Sequence, residues 1–97
     1  MLALTACGPD AGQLLLCERA LLALTGGVTA QRDEALAAAD HVIVLPYEHA
    51  GGRQTISCRF AGGRFAEGRL ELVGVASSQT GELGPVAFRV LKERMER

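Results

Sequence analysis

A chain of 97 residues with an apolar fraction of 48% can build one hydrophobic core and is too short for two. Its formal charge of −1 argues against the concentrated positive field that a phosphate backbone demands, so nucleic acid is not an expected partner. The core has to be made from Ala, Leu and Val, because there are three Phe, one Tyr and no Trp. Each buried CH₂ is worth only about 0.8 kcal/mol, so a covalent staple would matter here. The charge is unevenly divided: residues 1–50 hold two Arg against six acids, and residues 51–97 hold eight Arg or Lys against five acids.

The chain begins Met1-Leu-Ala-Leu-Thr-Ala-Cys-Gly8. Within it, Leu4-Thr5-Ala6-Cys7 resembles the lipobox of bacterial lipoproteins, where small residues let a signal peptidase cut before a cysteine that is acylated and becomes the new N-terminus. The resemblance implies lipidation at Cys7 and export. A working signal needs a basic n-region and an apolar stretch of about 7–15 residues. Only Leu2–Ala6 precede Cys7, and no basic residue precedes Arg19, so this reading sets the true signal upstream of Met1. Residues 1–10 are then a signal remnant and tether, and residues 11–97 the domain.

Asp10 is placed to cap a helix over Ala11–Thr25. Leu14, Cys17, Leu21 and Leu24 recur at spacings of three and four, with Leu15 and Leu22 widening the stripe. Gln13, Glu18 and Arg19 fall on the side expected to be wet, and Gly26-Gly27 ends the helix. The apolar part is too short and too charged to cross a bilayer, which takes about twenty residues. Val28–Asp40 is the least patterned segment. Its alanines and early acids favour one short helix over a loop or an irregular edge strand.

His41–Phe60 is the best-written element. Val42-Ile-Val-Leu45 is apolar on both faces, as in a central strand, and Pro46 is expected at that strand's end, at an edge or at a bulge. After a turn through Gly51-Gly52, the next strand alternates: Gln54, Ile56, Cys58 and Phe60 on one face, Arg53, Thr55, Ser57 and Arg59 on the other. Ala61-Gly-Gly-Arg64 repeats the turn signal Ala50-Gly-Gly-Arg53. Arg69–Val75 reads as a third strand, with Leu70 and Leu72 inward and Gly74 a bulge or point of close approach. A second helix opens at Gly84-Pro85, with Leu83, Val86, Ala87, Val90, Leu91 and Met95 as its stripe and Phe88 beside them. The expected fold is α+β: an N-terminal helix, a three-stranded antiparallel β-meander and a C-terminal helix packed on the sheet.

Few residues offer chemistry. Cys17 on the helix stripe and Cys58 on the inward strand face can meet if the helix packs on that face, and a bridge would close a loop of about forty residues worth roughly 4 kcal/mol. The alternative is two buried thiols acting as small hydrophobes in a cytosolic domain. The combination of Cys17-Glu18, Tyr47 and Cys58-Arg59-Phe60 is also similar to small lipoproteins and periplasmic domains of Gram-negative bacteria, a resemblance that implies export and no activity. His41 and His49 lie at opposite ends of the first strand and have no metal-ligand spacing, so no metal is expected. No glycine pair fits a phosphate loop, no G-x-S-x-G is present, and no cofactor is expected. Arg53 and Arg59, with Arg64 and Arg69 nearby, form a polar face that could take an acidic partner or an envelope component, or could simply be solvated.

These readings point to a non-enzymatic envelope domain, periplasmic or lipid-anchored through Cys7, that acts by binding. The rival is a small cytosolic enzyme or enzyme-associated module with free thiols.

Overall fold

The computed structural model describes residues 9–28, 30–49 and 51–96. Cys7 and the lipobox-like segment lie outside the described residues. Helix α1 spans Ala11–Thr25 and begins where expected, because the Asp10 carboxylate accepts from the backbone N–H groups of Gly12 and Gln13. It ends at Gly26, whose φ of 84° is a left-handed conformation that costs glycine little, and whose N–H donates to Leu22 O.

Five antiparallel strands follow in a meander: β1 Leu36–Ala39, β2 Val42–His49, β3 Gly52–Phe60, β4 Leu72–Ser77 and β5 Gly81–Glu82, in spatial order β1-β2-β3-β4-β5. Helix α2, Pro85–Met95, closes the chain. The α+β class is as expected, and the three-stranded meander is its centre. Two short edge strands flank it: β5, which the sequence pattern does not indicate, and β1, which takes the irregular-edge-strand alternative for Val28–Asp40.

One of them, β1, occupies the segment expected to be helical. Arg32–Glu34 makes a single 3-10 turn, and Leu36–Ala39 then pairs with Val42–Val44, with an irregularity between Ala37 and Ala39. Alanine's helix preference is a weak prior. It loses here to the unpaired N–H and C=O groups along β2, which must find partners.

The same edge explains Pro46, which stands inside β2 and is buried; of the strand's end, an edge or a bulge, the end is not the place taken, and its free side faces the edge beyond the β1 ladder. Its carbonyl accepts from Gln31 N at 2.8 Å, on the side away from β3. A strand residue's N–H and C=O face the same neighbour, so the missing N–H falls on the β1 side too. There the chain between the Ala30–Tyr47 bridge and Leu36 turns through its 3-10 segment, and no ladder bond is forfeited.

The hairpin register runs from Val42↔Arg59 to His49↔Gly52, with Gly51 at φ 79° in the turn. Ile43 and Cys58, then Leu45 and Ile56, become cross-strand pairs on one face, all fully buried. Between β3 and β4 the register slips from Arg59↔Gly74 to Phe60↔Leu72. This bulge leaves Val73 outside the pairing and turns both Phe60 and Leu72 into the core. The third strand therefore starts at Leu72, not Arg69. Leu70, expected inward, sits in the preceding loop and is 48% exposed.

Helix α1 crosses the inward face of β2 and β3. Its buried line is Gln13, Cys17, Ala20 and Leu21, with Leu24 partly covered, while Leu15 and Leu22 face outward. The small side chains of Cys17 and Ala20 let the helix approach the sheet closely. Helix α2 has α1 as its main neighbour, a departure from the expected sheet packing. Only Leu91 of α2 is fully buried, with Phe88 and Met95 partly so. The expected stripe residues Val86 and Val90 are exposed.

Candidate functional site

The centre of the molecule is covalent. Cys17 Sγ and Cys58 Sγ lie 2.08 Å apart, at disulfide distance, with a Cα separation of 5.7 Å. Both residues are completely buried. The pair ties the middle of α1 to the inward face of β3, and its sequence separation is 41 residues. Neither sulfur is placed for nucleophilic chemistry, which needs an exposed thiolate near a base or a positive charge.

A second, polar tie holds the start of α1. Gln13, expected on the wet side, is 1% exposed. Its Nε2 donates to Gly62 O at 3.2 Å and to Arg69 O at 2.9 Å, gripping both ends of the β3–β4 loop. The signal was in the spacing: Gln13 lies four residues before Cys17 and eight before Leu21 on the buried line. Arg69 Nη1 donates to both oxygens of Asp10, at 2.7 and 2.9 Å, on a carboxylate whose side chain is only 11% exposed. Burial pushes the Asp10 carboxyl up, but the Gln13 N–H, the Arg69 guanidinium and the Gly12 N–H together outweigh it and hold its pKa below the ordinary value.

The loop that Gln13 and Arg69 hold is itself bonded. Ala61 N donates to Glu71 O, Gly62 N to Gly68 O and Ala66 N to Gly63 O, at 2.9–3.1 Å. Gly62 is obligatory here, since a Cβ would stand 2.1 Å from Glu67 O. Phe65, at the tip, is 98% exposed.

The four arginines named from the sequence do not form one cluster. Arg53 pairs with Glu34 of the 3-10 turn. Arg59 lies across Gly74, whose Cβ position is 2.5 Å from Arg59 Nη2, and reaches Glu82 of β5 at 3.3 Å. Arg69 belongs to Asp10, on the loop and not on the sheet face, and Arg64 sits on that same loop. Gly74 is thus a point of close approach as well as a bulge neighbour. An acidic partner at Arg53 and Arg59 would have to compete with Glu34 and Glu82.

His41 is exposed beside one end of β2. His49, at the other end, has a buried Nδ1 with no partner. Among the described residues no group of three or more His, Cys, Asp or Glu is arranged to hold a metal ion. No described helix is long and apolar enough to cross a membrane. A groove of about 330 Å³ runs between α1, α2 and the start of β4, floored by Leu16, Leu70, Leu72 and Met95. Its two cations are turned to backbone carbonyls, Arg19 to Met95 O at 2.8 Å and Lys92 to Leu72 O at 3.4 Å.

Comparison with protein-family models, with curated proteins and with solved structures finds no match.

Proposed function

We propose that this chain is a non-enzymatic domain of a Gram-negative cell envelope, held at a membrane by an acylated Cys7 and acting through its surface. One observation carries the reading: the buried Cys17–Cys58 pair at bonding distance. Disulfides persist in oxidising compartments and are rare in the reducing cytosol. With Cys17 and Cys58 joined, Cys7 is the one cysteine left for acylation. The lipobox-like Leu4-Thr5-Ala6-Cys7 gives it a chemical use, and Gly8-Pro9 gives a short tether to the Asp10 cap.

The absence of enzymatic chemistry in this reading rests on how the polar groups are used. Both sulfurs of the pair are sealed in the core, and Asp10, Gln13 and Arg69 serve the attachment of α1. The test is an intact mass on protein taken from its native membrane fraction and alkylated before or after reduction. The expected result is an acyl mass on Cys7 and two further alkylatable thiols that appear only after unfolding and reduction. Three thiols that alkylate without reduction would overturn the proposal in favour of a cytosolic module.

A further inference from the structure

Resting on the lipid-anchor reading, we infer that the β3–β4 loop is a second membrane contact, with Phe65 entering the bilayer interface and Leu70 beside it. The argument begins with where the anchor leaves the domain. Two residues, Gly8 and Pro9, separate Cys7 from Asp10, and the three Cα-to-Cα steps span at most about 11 Å. An acyl chain on Cys7 therefore keeps the α1 N-terminus close to the lipid surface.

The structure shows what else is at that end. Arg69 bonds Asp10, and Gln13 bonds Gly62 and Arg69, so the loop 61–71 is fastened to the first turn of α1. A Cβ built on Gly12 would stand 2.8 Å from Leu70 Cδ2, which places the Leu70 side chain against that same turn. Phe65, four residues before Arg69, is the most exposed large apolar side chain among the described residues, at 98%.

Scattered exposed leucines are ordinary on a protein surface. A fully exposed phenylalanine on an internally hydrogen-bonded loop is different, since it adds nothing to the fold. Aromatic and aliphatic side chains suit the headgroup boundary, and one acyl chain alone gives marginal binding that a second apolar contact strengthens. Charge contributes little here. Arg69 is neutralised by Asp10, and Arg64 is offset within the loop by Glu67 and Glu71. The contact is therefore apolar and should tolerate salt.

The chain has no Trp, so Phe65→Trp introduces a single tryptophan, excited apart from Tyr47, at an exposed site. The full chain is coupled through the Cys7 thiol to a maleimide lipid in phosphatidylethanolamine/phosphatidylglycerol vesicles, with Cys17 and Cys58 protected by burial. Glu48→Trp is the control. It is exposed near the far end of β2, roughly 23 Å along the strand from His41 and the loop. The expected result is a blue shift at position 65 and loss of its emission to brominated acyl chains, neither changed by high salt and neither seen at position 48. No quenching at 65, or equal quenching at both positions, overturns the contact and leaves the anchor standing. A Phe65→Trp shift already present on protein alone, without vesicles, would show the side chain covered by protein and also overturn it, a dependence on protein concentration marking a second copy as the cover. Membrane-fraction protein with no acyl group on Cys7 overturns the anchor reading, and this inference with it.

Discussion

Breaking the link between Cys17 and Cys58 should remove a large share of the domain's stability. The loop it closes has a sequence separation of 41 residues, for which the chain-entropy relation gives about 4 kcal/mol at 25 °C. A chain of this length has a total stability of roughly 5–15 kcal/mol, so the loss is between a quarter and most of it. On this scale the melting temperature falls by on the order of 15–30 °C. Two perturbations separate the cross-link from the atoms. The reduced wild-type chain keeps both sulfurs and loses only the constraint. The variant Cys17→Ala/Cys58→Ala also loses two buried sulfurs, each comparable to a methyl group and worth roughly 1 kcal/mol in a packed core.

Urea denaturation followed by far-UV circular dichroism measures both, alongside the oxidised chain. The reduced protein is expected to lose about 4 kcal/mol and the double variant somewhat more. Since both residues are completely buried, a mild reductant should act on the folded protein only as fast as the protein opens. If the double variant stayed within about 1 kcal/mol of the oxidised chain, the staple argument would be refuted. Rapid reduction at the native plateau would refute the claim that the core seals the pair.

Four other substitutions test the attachment of α1, the loop it holds and the β4 bulge. Gln13→Ala leaves the carbonyls of Gly62 and Arg69 without their shared donor inside the protein and should cost about 2–3 kcal/mol in urea, with proteolysis of the 61–71 loop accelerated. Two glycine substitutions should behave in opposite ways. Gly62→Ala drives a Cβ into Glu67 O, a backbone atom, and should destabilise by about 2 kcal/mol or more, whereas Gly74→Ala meets only the movable end of Arg59 and should cost under about 1 kcal/mol. The Asp10 carboxyl is held below its ordinary value, so its contribution is present above the unfolded-state pKa and fades as pH falls through the folded one. Asp10→Ala should lower stability by about 1 kcal/mol at neutral pH and flatten the decline expected of the wild type below about pH 4. An unchanged acid limb in the variant would refute the assignment.

The parts of the fold legible in the sequence were those governed by one local rule. Asp10 and Gly26 bracket α1 because capping is a property of the few residues at a helix end. The alternation around Cys58 fixed its face, and a helix covering that face had to bring Cys17 near. Where two demands competed, the sequence misled. Leu36–Ala39 has alanine's helix preference, yet β2 needed a partner, and an edge strand is what forms. Leu70 looks like a strand residue beside Leu72, but the 61–71 loop closes on itself before β4 begins. Gln13's polarity points to the wet side, but its position lies on the buried line and position decides. Val86 and Val90 are apolar, but α2 presents Phe88, Leu91 and Met95 to the core instead.

The uses of the polar groups limit how this domain can bind. Arg53, Arg59 and Arg69 each face a carboxylate, and Arg19, Lys92 and Arg94 reach backbone carbonyls of other elements. A ligand that approached these cations would first have to displace an internal partner, and exposed ion pairs of this kind contribute little that a ligand could inherit. Large apolar side chains are also exposed, among them Phe65 on its loop, Leu36 on the β1 edge and Val86 on α2. Binding through any of these gains from area removed from water and not from charge. A partner held this way should stay bound as salt rises, because screening weakens only the ionic share. The loop around Phe65 differs from the other two in being fastened to the end of α1 nearest Cys7, so anchoring and contact would act at one end of the molecule.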